Sequence, residues 1–206
     1  MTGPAFQFKK PAELDLSIII ISFNTRDVLV DCLESVYAKT EGISYKIIVV
    51  DNASSDESPG SVAERFPDIH LIRNDVNRGF STANNQGICE STGRWVALLN
   101  PDTRLIENSF QKIARYLQKH SEFSILGPGI VNKSGQQSPT RLWEDTPLDA
   151  AWKILGLYNP SNELQRMGGM QAKEVLVISG CCFVIRRELF EEIGLLDENY
   201  FLYNEE

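Results

Sequence analysis

Apolar runs give way to acids at two places in this sequence. Val49-Val50-Asp51-Asn52 and Leu98-Leu99-Asn100-Pro101-Asp102-Thr103 each pass from a buried-type stretch into a short polar step that carries a carboxylate. In an open α/β sheet, ligands bind just beyond the carboxyl ends of the strands. Two carboxylates delivered there, one beside an Asn, suit a nucleotide together with a hard divalent cation that takes oxygen ligands. Asp51 is a group that can accept from a base imide or a ribose hydroxyl. Its competing reading is a turn or cap, since Asp-Asn-Ala-Ser-Ser bonds readily to its own backbone. Asp102 suits Mg2+ or Mn2+ bridging a diphosphate, because such metals keep few protein ligands and take the rest from phosphate and water. The competing reading there is turn chemistry in Asn-Pro-Asp-Thr.

Further polar candidates lie between and beyond these acids. Asn77-Arg78-Gly79-Phe80 combines a side-chain amide, a cation and a flexible backbone, and Asn84-Asn85 follow where a helix is expected. Adjacent Asn residues are weak helix formers, which points to a ligand-facing role. Arg78 either meets phosphate or is a solvated surface charge. Glu205 and Glu206 come after the apolar, aromatic Phe201-Leu202-Tyr203. Paired acids there can supply a general base, or stand as two solvated surface groups. His70 and His120 have no partners at ligand spacing and receive no role.

Several phosphate and metal motifs are missing. Gly127-Pro128-Gly129 is followed by Asn132 where a third glycine is needed and lies far from the first strand, so it is no dinucleotide-binding turn. There is no Walker A Gly-Lys-Ser/Thr, and Asp51 to Asp56 lacks the Gly and distal Glu of a calcium loop. A nucleotide must be held another way.

The elements that position these residues follow from pattern. Leu16 to Ser22, Lys46 to Val50, Ile69 to Arg73 and Trp95 to Leu99 are short apolar runs suited to strands buried on both faces. Between them, Asn24 and Thr25 offer caps for a helix with Val28, Leu29, Cys32, Leu33 and Val36 on one face, and shorter helices are expected over Val62 to Phe66 and Thr82 to Ser91. A helix from Asn108 to Lys119 follows, with Phe110, Ile113, Ala114 and Leu117 on one face. Alternation of this kind implies βαβ units and a mostly parallel sheet with right-handed crossovers. The second half is less regular. Ser124 to Val131 and Glu174 to Arg186 are expected as strands and Arg187 to Ile193 as a helix, separated by a polar stretch from Asn132 to Met170 with Trp143 and Trp152.

Bulk properties set limits. The 206 residues, 42% hydrophobic and 23% charged, are ordinary for a soluble globular domain. The net charge of −8 argues against a nucleic-acid partner, which calls for a basic footprint. Cys32, Cys89, Cys181 and Cys182 show no Cys-x-x-Cys spacing and read as free thiols in a reducing compartment. The first residues, Met1 to Pro11, lack the apolar core of a signal peptide, and no apolar run is long enough to span a membrane. The expected location is therefore the cytoplasm, and the sequons at Asn52 and Asn132 carry no weight. The chain stops soon after an aromatic segment, which leads us to expect a C-terminal truncation.

Taken in order, Ser17 to Asn24, Val49 to Asp56, Asn77-Arg78-Gly79-Phe80 with Asn84-Asn85-Gln86-Gly87, and Leu98-Leu99-Asn100-Pro101-Asp102 resemble the inverting family 2 glycosyltransferases of GT-A type, in their rhamnosyltransferase-like branch. Ser179 to Arg187 and Gly194-Leu195-Leu196-Asp197-Glu198 continue the match. The resemblance implies an α/β GT-A fold as a single catalytic domain over residues 1–206. It would comprise an extension (1–15), a Rossmann-like nucleotide-sugar half (16–105) and a more variable acceptor half (106–206). It implies donor contacts from Ser22, Phe23, Asn24, Asp51, Asn77, Gly79, Asn84, Asn100 and Asp102. Asn100 and Asp102 fall on the family's Asp-x-Asp position, so that Asp102 carries the metal, Mg2+ or Mn2+. Glu206, with Glu205, falls on the Glu-Asp pair that supplies the base, Glu206 standing where Asp is usual. The implied reaction moves a sugar, L-rhamnose for this branch, from a dTDP- or UDP-linked donor to a hydroxyl of a cell-surface glycan or lipid-linked acceptor. Peripheral contact with the inner face of a membrane goes with such acceptors. Two alternatives remain open: a nucleotide-sugar-binding domain with little or no catalysis, and a nucleotidyltransferase, which calls for a Gly-rich basic signature that Ser22-Phe23-Asn24-Thr25 lacks.

Overall fold

Strands made of β-branched residues without polar alternation need cover on both faces, and the fold supplies it. The computed structural model describes residues 7–10, 13–132, 134 and 178–200. Its strands are β1 (Leu16–Ser22), β2 (Tyr45–Asp51), β3 (His70–Arg73), β4 (Trp95–Leu99), β5 (Ile125–Leu126) and β6 (Cys182–Arg186). Its helices are α1 (Arg26–Lys39), α2 (Ser58–Arg65), α3 (Phe80–Glu90), α4 (Ser109–Lys119) and α5 (Arg187–Ile193). Met1–Leu126 with Gly180–Glu206 make one compact unit and Gly127–Ser179 a second; every element named here belongs to the first.

The six strands form one sheet in the order β3-β2-β1-β4-β6-β5. β3, β2, β1 and β4 run parallel to one another, and β6 pairs antiparallel with both β4 and β5. Every residue of β1 and β4 is buried. On one face, Ile18, Ile20, Val49 and Leu99 share a core with Leu29, Cys32, Leu33 and Val36 of α1, Val62 of α2, and Phe110, Ile113 and Leu117 of α4. The other face receives α3, where Gly87 lies so close to β1 that a Cβ on it would stand 2.5 Å from Ile19 Cγ2.

The expected strands and helices recur with shifted ends. α2 begins at Ser58 rather than near Val62, for a capping reason given below. The strand expected over Ser124 to Val131 is only Ile125–Leu126, since Pro128 has no amide hydrogen to give to a ladder. Within the described part of the strand expected over Glu174 to Arg186, pairing starts at Cys182. Val28, expected on the apolar stripe of α1, is 44% exposed, because the helix buries the narrower set Leu29, Cys32, Leu33 and Val36. Trp143 and Trp152 lie outside the described residues.

Beside the amino end of β4 lies a buried cation. Arg187, 2% exposed, donates Nε to the Ser91 carbonyl (3.2 Å) and Nη2 to the Lys9 carbonyl (2.6 Å), and pairs with Glu191 (2.8 Å). These bonds satisfy the guanidinium inside the protein, as a buried charge requires.

Candidate functional site

The parallel register brings the carboxyl ends of β1 and β2 side by side, Ser22 opposite Asp51. Asp51 is buried at 3% exposure, and its two carboxylate oxygens are used differently. Oδ2 accepts from the Ser54 amide at 3.1 Å. Oδ1 has no hydrogen-bond partner, a condition it shares among the described residues with Thr40 Oγ1 and Trp95 Nε1. A buried carboxylate oxygen left without a donor costs free energy unless something arrives to satisfy it.

The loops around Asp51 are locked to one another. The Asn24 side-chain oxygen accepts from the Ser55 amide (2.8 Å), and the Asn24 amide donates to Ser54 Oγ (2.9 Å). Asn24 adopts φ 54°, the left-handed region that Asn tolerates better than most residues. Thr25 stands at the N-terminus of α1 without capping it; its hydroxyl lies 3.0 Å from Ser22 Oγ. The first amide of α1, on Arg26, donates instead to Asp56 Oδ2 at 2.8 Å. The other Asp56 oxygen accepts from the amide and hydroxyl of Ser58. One carboxylate thus caps two helices. Burial works to raise its pKa, but the bonds from Ser58 and Arg26 outweigh that and hold it below the usual carboxylate value. This cap is why α2 starts inside a Ser-Pro-Gly-Ser stretch that reads locally as loop. Phe23, 46% exposed, stands at the outer edge of the same loop. An open groove of about 610 Å3 runs along Asn24 to Val28 and Ser55 to Glu57, and its lining includes neither Asp51 nor Asp102.

Asn52 organises the next loop. It is 2% exposed, and its Nδ2 donates to Asn77 Oδ1 (2.8 Å) and to the Gly79 carbonyl (3.2 Å). Its Oδ1 accepts from Asn74 Nδ2 (3.1 Å) and from the Arg78 amide (3.0 Å). Asn77 Oδ1 also accepts from the Gly79 amide (2.9 Å), so its side-chain oxygen is committed to shaping the loop. Gly79 has φ 83°, which only glycine adopts freely, and α3 starts immediately after it. Asn84 is 1% exposed and donates back to the Phe80 carbonyl (3.0 Å). Its neighbour Asn85 does not face the strand ends; its amide bonds to Leu196 and Glu198.

At the end of β4, the Asn100 amide donates to the Cys181 carbonyl (2.9 Å) and the Asn100 carbonyl accepts from the Thr103 hydroxyl (2.7 Å). This turn presents Asp102 exposed and Asn100 half-buried. Cys32 lies beneath it, its Sγ 3.8 Å from the Asn100 carbonyl, and burial pushes that thiol up to about 12. Among the described residues no group of three or more His, Cys, Asp or Glu side chains is placed to hold a metal ion. The donor set at this turn is therefore a single exposed carboxylate beside an amide. It fits a hard cation that draws most of its oxygens from a diphosphate and water, not an all-protein cage. Glu205 and Glu206 lie outside the described residues.

The strand ends therefore bring together Ser22, Phe23, Asn24, Asp51, Asn77 and Gly79, with Asn84 in the first turns of α3 and Asn100 and Asp102 at the end of β4. Asn52, which organises this region, carries no local signal as such, and the signal at Asn85, its weak helix propensity, pointed to a ligand where the structure has the 196–198 segment. Their partners lie far off in sequence, and an Asn in a turn or a helix suggests only weak propensity.

Comparison with known proteins gives a consistent picture. The profile described as "Glycosyl transferase family 2" matches residues 17–194. The chain is 30% identical, over 93% of its own length and 59% of the relative's, to the low-salt glycan biosynthesis hexosyltransferase Agl10 of Haloferax volcanii. It is 26% identical, over 93% of this chain and 67% of the relative, to the N-acetylglucosaminyl-diphospho-decaprenol L-rhamnosyltransferase of Mycobacterium tuberculosis. Among solved structures, S. aureus TarS 1-349 superposes with a TM-score of 0.69 at 16% identity, covering 93% of this chain and 53% of that one. The mannosyltransferase PcManGT from Pyrobaculum calidifontis, solved with GDP-Man and Mn2+, gives 0.63 at 17% identity, covering 95% of this chain and 52% of that one. The chain thus spans little more than half the length of several proteins it matches. The fold is that of the GT-A glycosyltransferases, with a mostly parallel central sheet flanked by helices.

Proposed function

Since the chain belongs to glycosyl transferase family 2, we propose that it is an inverting glycosyltransferase using a dTDP- or UDP-linked sugar. The observation that carries this reading is the buried, unpartnered Asp51 Oδ1 at the carboxyl end of β2. A uracil or thymine ring offers one N–H between two carbonyls, and that N–H is the donor this oxygen lacks. Cytosine and adenine have no such ring N–H, so the site discriminates against them by leaving the carboxylate unsatisfied. Phe23 and the Asn24 turn border the base. The loop of Asn77 and Gly79, set by Asn52, borders the ribose and diphosphate, with Asn84 behind it. The uridine class has the support of TarS, which has been solved with UDP and with UDP-GlcNAc.

Asp102, with Asn100 beside it, would hold Mg2+ or Mn2+ at the diphosphate. When bound, the cation offsets the charge that builds on the departing nucleoside diphosphate. The remaining chemistry belongs to side chains of the chain. Glu206, assisted by Glu205, takes the proton from the acceptor hydroxyl as its oxygen attacks the anomeric carbon from the face opposite the leaving group, which inverts the configuration. The transferred sugar is L-rhamnose by likeness to the mycobacterial rhamnosyltransferase. The acceptor is a glycan or a lipid-linked saccharide, and the reaction takes place on the cytoplasmic side, at or near the membrane surface. Among the described residues no helix is long and apolar enough to cross a membrane.

The test is calorimetric titration of UDP and dTDP, each with and without Mn2+, into the chain and into Asp102→Ala. Binding that strengthens with Mn2+ and loses that gain in Asp102→Ala supports the reading. If CDP or ADP binds as tightly as UDP, the role given to Asp51 fails. A full-length protein that binds donor but never transfers the sugar is a binding domain, not an enzyme.

A further inference from the structure

Past the ends of β1 and β2 the two chains stay tied together. The Asn52 amide donates to the Ser22 carbonyl (2.7 Å), the Asn24 amide to Ser54 Oγ (2.9 Å) and the Arg26 amide to Asp56 Oδ2 (2.8 Å). These rungs fall at alternate residues on the β1 side, and the last two end on side chains rather than carbonyls. The second Asp56 oxygen holds the amide (3.1 Å) and the hydroxyl of Ser58. The loop between β2 and α2 is thus fastened along its length. Asn24 (φ 54°), Ala53 (69°) and Glu57 (63°), all in these two loops, are the only non-glycine residues with positive φ among the described residues. Such backbone persists only where its surroundings over-determine it.

Asp51 stands at the root of this brace. Its carbonyl accepts from the Asn74 amide (2.9 Å) and its Oδ2 from the Ser54 amide (3.1 Å), while Oδ1 has no partner. Two side-chain donors within three residues of that oxygen are engaged elsewhere. Asn52 Nδ2 is on Asn77 and Gly79, and Ser54 Oγ is on the Asn24 amide.

We propose that Asp56 is a positioning residue for recognition of the donor base: it braces the β2–α2 loop so that the Ser54 hydroxyl stays on Asn24 and Asp51 Oδ1 is kept open for the ring N–H of the base. The inference rests on the proposed role of Asp51. An acceptor satisfied from within gains little from a ligand N–H, because one hydrogen bond merely replaces another. It also ceases to penalise a base that lacks that N–H. Loosening the brace therefore erodes the choice between bases, and the Ser54 hydroxyl is the group that erodes it.

The experiment titrates UDP and CDP, which differ only in the base, into the full-length protein and its variants by calorimetry at fixed Mn2+. Asp56→Asn keeps one acceptor oxygen and so loosens the brace with little risk to folding. Its preference for UDP over CDP should shrink by about 3- to 10-fold, part of the roughly 10- to 100-fold that a bond to a charged group supports. The milder Ser58→Ala, which takes one donor from Asp56, should act in the same direction. Adding Ser54→Ala to Asp56→Asn removes the hydroxyl that fills Oδ1 and should restore much of the preference. Ile113→Val, in the buried face of α4, should lower the melting temperature and leave the preference unchanged. An unchanged preference in Asp56→Asn overturns the inference. So does a shrunken one that Ser54→Ala fails to restore, or that Ile113→Val reproduces, the mark of general loosening. Asp51→Asn separates the two levels. If the unaltered protein binds UDP and CDP alike, the role of Asp51 and this inference fall together. If it prefers UDP, loses that preference in Asp51→Asn and keeps it in Asp56→Asn, this inference alone falls.

Discussion

Asp51 divides its duties between two oxygens, and a substitution can separate them. Asp51→Asn keeps an oxygen for the Ser54 amide but removes the charge and one acceptor. A hydrogen bond to a charged group contributes about 1.5–3 kcal/mol, so UDP affinity should fall about 10- to 100-fold with little change in melting temperature. Calorimetry and thermal melting together check this, and an unaltered affinity contradicts the site. Asn52 behaves the other way. Its side chain holds Asn74, Asn77, Arg78 and Gly79 by four bonds. Asn52→Ala strands several buried groups at about 1–3 kcal/mol for each one left unsatisfied. Urea unfolding should show a loss of at least about 2 kcal/mol, and nucleotide affinity should drop with it, because the loop loses its template.

Between the elements, close approach decides what is tolerated. A Cβ on Gly87 would meet the Ile19 side chain at 2.5 Å, and one on Gly93 would meet the Ser17 backbone nitrogen at 2.6 Å. A side chain can shift where a strand backbone cannot. Gly87→Ala should therefore cost about 1–3 kcal/mol, as overpacking usually does, and Gly93→Ala should cost more; denaturant midpoints of the two variants test that order. The same contrast explains how much was legible beforehand. β1, β2 and β4 are plain in the sequence because both-face burial leaves continuous apolar runs, and α4 because Phe110, Ile113, Ala114 and Leu117 keep helical spacing. The start of α2 was not legible, since its cap is the side chain of Asp56, which also serves α1. The strand-end positions of Asp51 and Asp102 were legible because strand ends are local features. The partners of Asn52 and Asn85 were not, because they lie 22 to 27 and 111 to 113 positions away.

At the scale of the molecule, burial governs titration and reactivity. Desolvation raises Cys32 and Cys182 to about 12 and Cys89 to about 11, so all three stay thiols at neutral pH. Native protein treated with iodoacetamide at pH 8 should leave them unmodified by mass spectrometry, and urea should expose all three; rapid native labelling of Cys32 contradicts the packing beneath the Asn100 turn. His70 adds a pH dependence. Burial and Lys46 lower its pKa despite Glu90 at 3.1 Å. The folded state then binds the proton less readily than the unfolded one, so stability should be full above the ordinary His value and decline as pH falls below about 6.5. A urea midpoint lower at pH 5.5 than at pH 7.5, with the difference reduced in His70→Gln, is the expected result. The sheet order also sets a timetable for synthesis. β4, apolar along its whole length, is bounded on one side by β1 and on the other by β6, which ends at Arg186. A ribosome adding about 5–20 residues per second therefore leaves that strand edge uncovered for roughly 4 to 17 seconds after Leu99 is made. During that interval the nascent chain offers a bare hydrophobic ladder to any strand it meets, which makes it a natural client for chaperones that shield sheet edges.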